Sequence, residues 1–534
     1  MGKLSGMAQY LACGVAATVI LACFLEYLIS SRDDAREPPR LRAKIPLVGH
    51  LLGIITSGPS YHSTLKYTTA PPKPCLTGCL RRSNDVEIFT IGIFNFKLYT
   101  SVSTRLLPLI QRQSRQLSFR PMLRLVARQW GDASSETDAL FASTQLVADF
   151  GQAMRASLAP GPHLDAQNLR MARRALLDVD ELLVEAAAVK LGNHKIWLLE
   201  WTRHAAMQAS SCGVYGNNHP FLDPDTAAAF WKWHRHLSAH ISGVDFDIFR
   251  TGYAARQRVF DAHKRYCAAV PDDASQLLTE RWRVLREAGV SETDCIKQQA
   301  TLPIGMLSNT VPTLYWTLWE LFSRPALVAQ VREELVSHAI MAKNGGSSFA
   351  LDVAALKCRC PLLLSVMQET QRVRHVHAAI RKVMQDTLLD DDRVLLKAGH
   401  YLQMPGYAVH HSTRIWGPTA GEFDPCRFVA PGTGREKRSG RDFLAWGAPP
   451  HLCPARQFAA TEILILVALL VMRADLEPVG GRWEAAPALD FNDPVTMLNP
   501  KKDVLMKVVC RPEWSGQWTV LMSESTLRVP LASG

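Results

Sequence analysis

Near the C-terminus, Cys453 and Pro454 stand just ahead of a run that is apolar almost throughout, from Phe458 to Met472. Such a run reads as a helix buried on all sides, which only a large body around it can cover. Pro454 suits the first position of that helix, where a missing N–H costs nothing. Cys453 is then expected at the N-cap, facing unpaired N–H groups and the positive end of the helix dipole, both of which favour thiolate over thiol. Ahead of it, Phe443-Leu-Ala-Trp-Gly-Ala-Pro-Pro-His-Leu carries one glycine, two prolines and little bulk, a rigid loop that can press its backbone against something flat. A thiolate held there can serve as an electron-donating axial ligand to haem iron. The plainer alternative is a buried free cysteine.

The flanks of Cys453 decide between these, because the segment resembles the haem-binding signature of the cytochrome P450 superfamily. Trp446 fills its aromatic position, Gly447 the glycine that follows, His451 the basic position two before the cysteine, and Ala459 the small-residue position after it. Pro449 and Ala455 depart from it, each standing where glycine is usual. Upstream, Glu369-Thr-Gln-Arg372 places a carboxylate and a guanidinium one turn apart on one helix face. Phe423-Asp-Pro-Cys-Arg427-Phe428 is similar to the family's meander, and His410-His-Ser-Thr-Arg-Ile-Trp416-Gly417-Pro418 to the approach to it. The resemblance implies that Arg427 joins Glu369 and Arg372 in a buried cluster, a bidentate clamp for the loop carrying the thiolate. It also makes Arg381 and His451 candidates to pair the haem propionates.

A second helix is expected over Thr301 to Arg324, containing Gly305-Met-Leu-Ser308-Asn309-Thr310-Val-Pro312-Thr-Leu-Tyr-Trp316. Pro312 has no N–H and its ring crowds the carbonyl of Ser308, so the helix should open there. Asn309–Thr310 stands where most of the superfamily has an acid–threonine pair. The pattern resembles the branch of sterol 7-alpha- and 12-alpha-hydroxylases and prostacyclin synthase. By that resemblance Thr310 offers a hydroxyl to bound oxygen, while Asn309 relays hydrogen bonds without titrating.

The chain has 534 residues and no Ser/Gly-rich linker or repeat divides it. Its 12 cysteines are scattered. Cys75/Cys79 and Cys358/Cys360 lack the partner pairs of a zinc site, so the cysteines read as reduced thiols on the cytosolic side. Met7 to Ile29 is predominantly apolar, with Glu26 as its charge, a length suited to a membrane span more than to a cleavable signal. Arg32, Arg36, Arg40, Arg42 and Lys44 follow it, against Lys3 ahead, which places the body in the cytosol. Pro38-Pro39 and Ile45-Pro46 then form a stiff hinge. A net charge of +11 suits an acidic electron donor and an anionic bilayer; no nucleic-acid motif accompanies it.

Elsewhere, helices are expected at Asp180–Val189, Asp225–His240 and Pro325–Met341, and a loop at 343–348. Strands are expected at 86–91, 97–100, 393–396, 401–403 and 518–522. Segments 110–140 and 215–255 would cap a substrate pocket by the same resemblance.

The expectation is therefore a mainly α chain with a small β region, the cytochrome P450 fold behind a transmembrane helix. Residues 1–30 form an anchor, 31–55 a basic, proline-rich hinge and 56–534 a haem-binding catalytic domain. The implied activity is monooxygenation of a lipophilic scaffold in the endoplasmic reticulum membrane, with haem b as cofactor. Electrons would come from NADPH through cytochrome P450 reductase. Two alternatives stay open: a reductase-independent isomerase or dehydratase acting on an organic peroxide, and a non-catalytic haem protein.

Overall fold

A computed structural model describes residues 2–43, 45–57, 61, 87–189, 194–241, 247–343, 345, 347–376, 378–429, 440–483, 486–490, 495–523 and 527–533. Lys44, the Cys75/Cys79 pair and Val86 lie outside them. The first element is the helix Gly2–Ser30, whose stretch Cys13–Ser30 has a mean hydropathy of 2.0 and no buried residue. Val15, Ile20, Leu21 and Phe24 are all exposed on it. At 1.5 Å per residue, 29 residues reach about 43 Å, more than the ~30 Å of a bilayer's hydrocarbon.

The chain divides into two compact units. The first comprises Met1–Phe119, Val376–Ala420 and Arg441–His451. It is built on a six-stranded sheet in the order Arg40–Leu41, Ile88–Ile93, Phe96–Ser101, Tyr401–Pro405, Ala378–Val383, Leu117–Ser118. The two strands of the first hairpin pair antiparallel from Ile93↔Phe96 outward, and Tyr401–Gln403 then joins parallel to Leu98–Thr100. Ile88, Tyr99, Leu117, Val383 and Leu402 pack with Leu106, Leu107 and Ile110 beneath this sheet. The expected strand near 393 is the short Val394–Leu396, paired with Thr387–Leu389. The segment expected as a hinge is tied into the sheet: Lys97 Nζ donates to Glu37 Oε2 at 2.6 Å, and Arg40 pairs with Asp33. Thr90 Oγ1 donates to the Pro38 carbonyl at 2.7 Å.

The second unit, Arg120–His375, Gly421–Gly440 and Leu452–Gly534, is mostly helical. Its helix Pro162–Ala188 is far longer than the expected 180–189. The burial of Leu164, Met171, Ala175, Val179, Leu182 and Ala186 shows the three- and four-residue spacing of one face running through its whole length. Leu198–Tyr215 and Arg456–Arg473 are buried almost throughout. The expected helix 225–240 is two, Pro224–His234 and Leu237–Ile241, the first capped by the Asp223 carboxylate on the N–H of Asp225. The helix after Pro325 stops at His338, because Ile340–Lys343 turns back and pairs antiparallel with Ser348–Asp352. Gln517–Leu521 joins that hairpin in parallel.

Candidate active site

Helix Arg456–Arg473 begins later than its sequence suggests. Ala455 is its N-cap and offers no side-chain hydrogen bond. Cys453 lies in the turn ahead, its carbonyl accepting from the Arg456 N–H at 3.4 Å and from Arg456 Nη1 at 3.2 Å. The expected N-cap role of Cys453, with Pro454 as first helical residue, is therefore corrected: this extra turn satisfies the carbonyl before the helix starts. The expected bias toward thiolate is corrected with it. Burial pushes the Cys453 thiol up, outweighing the Ala455 N–H and the Arg456 charge, both of which pull it down.

In the other unit, Trp446 is buried, and its indole N–H meets no acceptor among the described residues. Gly447 sits at φ +92°, a backbone conformation that only glycine adopts without strain, and its N–H donates to Leu444 at 2.9 Å. Arg381 is 3% exposed and, among the described residues, donates to the carbonyls of Ile380 and Ala448, at 2.8 and 3.0 Å. Among the described residues no carboxylate faces it, and burial pulls its guanidinium down to about 10. Phe119 lies against it, with the guanidinium carbon 5.5 Å from the ring centre; the His451 ring tilts on the same phenyl at 5.5 Å. Sequence reasoning missed Phe119. It also missed the imidazole of His410, which accepts from the Leu444 N–H at 2.8 Å and stacks on Phe443. Its only signal was a histidine placed before the meander.

Glu369, Arg372 and Arg427 come together in the helical unit. Glu369 and Arg372 are 0% exposed. Arg372 Nε donates to Glu369 Oε2 at 2.7 Å and Nη2 to Oε1 at 2.8 Å, a bidentate pair. Arg427 Nε and the Asp424 N–H add bonds to Oε1 at 2.9 and 3.0 Å. Both guanidinium groups also donate to the Glu422 carbonyl, so the carboxylate and one carbonyl pin the meander.

The long helix expected at 301–324 is split into Leu302–Leu307 and Thr310–Phe322, with Ser308 and Asn309 between, where Pro312 withholds its N–H. Thr310, buried, bridges the break by donating to the Met306 carbonyl at 2.6 Å. Asn309 Oδ1 accepts from Thr496 Oγ1 and from the N–H groups of Thr496 and Met497, at 2.5, 3.0 and 3.2 Å. No sequence signal points to those partners.

The model of the family "Cytochrome P450" matches residues 271–505. A cytochrome P450 monooxygenase of Hypoxylon pulicicidum, nodJ, is 31% identical over 513 residues, covering 94% of this chain and 95% of its own. The chain belongs to the cytochrome P450 family. A further P450 monooxygenase, from Gibberella zeae, is 24% identical over 554 residues and covers 98% of this chain and all of its own. A 5-beta-cholestane-3-alpha,7-alpha-diol 12-alpha-hydroxylase of Sus scrofa is 31% identical over 241 residues, 43% of this chain and 46% of its own. This P450 is thus a monooxygenase of the expected branch, mainly helical with a small β region. Membership implies a haem-thiolate cofactor, and the residues present fit one. Among the described residues, Arg381 is a buried cation without a counter-charge and Trp446 a buried N–H without an acceptor. A group carrying negative charge and acceptor oxygens would answer both.

Proposed function

We propose that this P450 is membrane-anchored by residues 1–30 and hydroxylates or oxidatively couples a lipophilic scaffold, a secondary metabolite or a sterol-like terpenoid. Electrons reach it from NADPH through a flavoprotein reductase. Cys453 would hold haem b, which when bound would supply the iron chemistry of oxygen activation: with two electrons and two protons, one atom of dioxygen enters a C–H bond and the other leaves as water. Arg381 and His451 balance the haem's acidic groups, and Gly447 and Trp446 shape the loop. Glu369, Arg372 and Arg427 keep the meander rigid.

The observation that carries the oxygen-activating reading is the break at Ser308–Asn309 with Thr310 at its edge. The Thr310 hydroxyl spends its proton on Met306 and keeps its lone pairs for a proton-carrying water. Asn309 has its carbonyl oxygen occupied by 496–497, which leaves its NH₂ as the group able to orient that water. The fungal relatives, similar over nearly the whole chain, support the monooxygenase reading, and the 12-alpha-hydroxylase, similar over 43% of it, supports a sterol-like substrate.

The test is Thr310→Ala with reductase and NADPH. It should keep the haem spectrum while dioxygen consumed is released as hydrogen peroxide, with little product. Full turnover by the wild type without dioxygen or reductase would replace this reading with peroxide rearrangement.

A further inference from the structure

Buried threonine hydroxyls on the helix that starts at Thr310 follow one habit. Thr310, Thr313 and Thr317 each donate to the carbonyl four residues back, at 2.6, 2.6 and 2.7 Å. Ser308 breaks that habit. Its Oγ pairs with His234 Nε2 at 2.9 Å, and both side chains are buried. Its backbone is loosened as well, since Pro312 cannot donate to the Ser308 carbonyl. Both residues of the break are thus held from outside the helix, Ser308 by His234 and Asn309 by 496–497.

We propose that His234 is a positioning residue for Thr310: through Ser308 it holds the break in its open geometry. This rests on the oxygen-activating reading of Thr310. Without His234, the Ser308 hydroxyl has a ready alternative in the Ile304 carbonyl four residues back, and the break can relax toward ordinary helix. Thr310 is bonded across the break to Met306 and moves with it. His234 is suited to the task because it stays neutral: burial, helped by Arg203 and Arg235, pulls the imidazole down to about 3. The bond therefore does not switch off across physiological pH. His234 is also the last residue of its helix, so a displacement of that helix end reaches Ser308 through a single hydrogen bond.

The experiment uses full-length, haem-loaded protein with Ser308→Ala, His234→Phe, His234→Gln and the double variant Ser308→Ala/His234→Phe. Hydrogen exchange reads the amides of Asn309, Thr310, Val311 and Thr313, and infrared spectroscopy reads the C–O stretch of the reduced carbon monoxide complex. Each single loss should speed exchange about fivefold, as expected for one hydrogen bond. Each should also move the C–O band in the same direction. The double variant should go no further than either alone, and His234→Gln should return both readings toward wild type. Unchanged exchange in Ser308→Ala, or additive effects in the double variant, overturns the proposal. Ser308→Ala removes one oxygen atom and guards against His234→Phe failing to fold. A wild type lacking the thiolate-type carbon monoxide band would sink the haem reading instead, while exchange still decides on the tether.

Discussion

Replacing Cys453 or Glu369 should damage this P450 in different ways. Reduced wild-type protein under carbon monoxide should show the strongly red-shifted Soret band of thiolate ligation. Cys453→Ala should abolish it, whereas Cys426→Ala and Cys510→Ala should leave it; a normal band in Cys453→Ala would move the ligand elsewhere. Glu369→Ala leaves two buried guanidinium groups without their carboxylate, a loss on the order of 3–5 kcal/mol. That is a large share of a domain's stability, so apoprotein or aggregate is expected, and soluble, fully haem-loaded Glu369→Ala would refute it. Spacing put Glu369 and Arg372 on one helix face, a weak signal alone, and their buried clamp rested on resemblance. Arg427 lies 58 residues on, so only resemblance pointed to it. The direction of the Cys453 shift was not legible, because it depends on how much protein surrounds the sulfur and not on its neighbours in sequence.

Among the elements, helix Arg456–Arg473 holds a group that resemblance did not single out. Glu462 is fully buried, and its carboxyl is met by Ser210 Oγ at 2.7 and 2.8 Å. Burial raises it from 4.5 to about 8, with Ser210 pulling the other way. The folded state therefore keeps a proton that the unfolded chain gives up. Stability should be fully present below pH 4.5 and fall as pH rises to about 8. Glu462→Gln should remove that slope and be more stable than wild type at pH 8 by about a few kcal/mol in denaturant unfolding, with little difference near pH 4.5. Parallel pH profiles for the two proteins would refute it. The apolar run made this helix easy to locate, and Pro312 foretold the break in its counterpart. The hairpin of Ile340–Lys343 and Ser348–Asp352 was hidden because its first strand continues a helical pattern, and only a partner strand makes it extend.

For the whole molecule, the charge bias after Ser30 gives a topology to test. In sealed microsomes an added protease should digest the body of the protein; protection would put it in the lumen and reopen the cysteines as disulfides. Removing residues 1–30 should release it from membranes only in part. Asp33, Glu37 and Arg40 are already locked to the sheet, through Lys97 and Arg40 itself, directly after the apolar helix ends at Ser30. Chain that short spans roughly 10 Å when fully extended. Residues 1–30, seated in a bilayer as proposed, would hold the sheet on a short leash with almost no slack. The bilayer would fix not only where this enzyme resides but which way its first unit faces, and a flexible insertion after Ser30 would undo the second without touching the first.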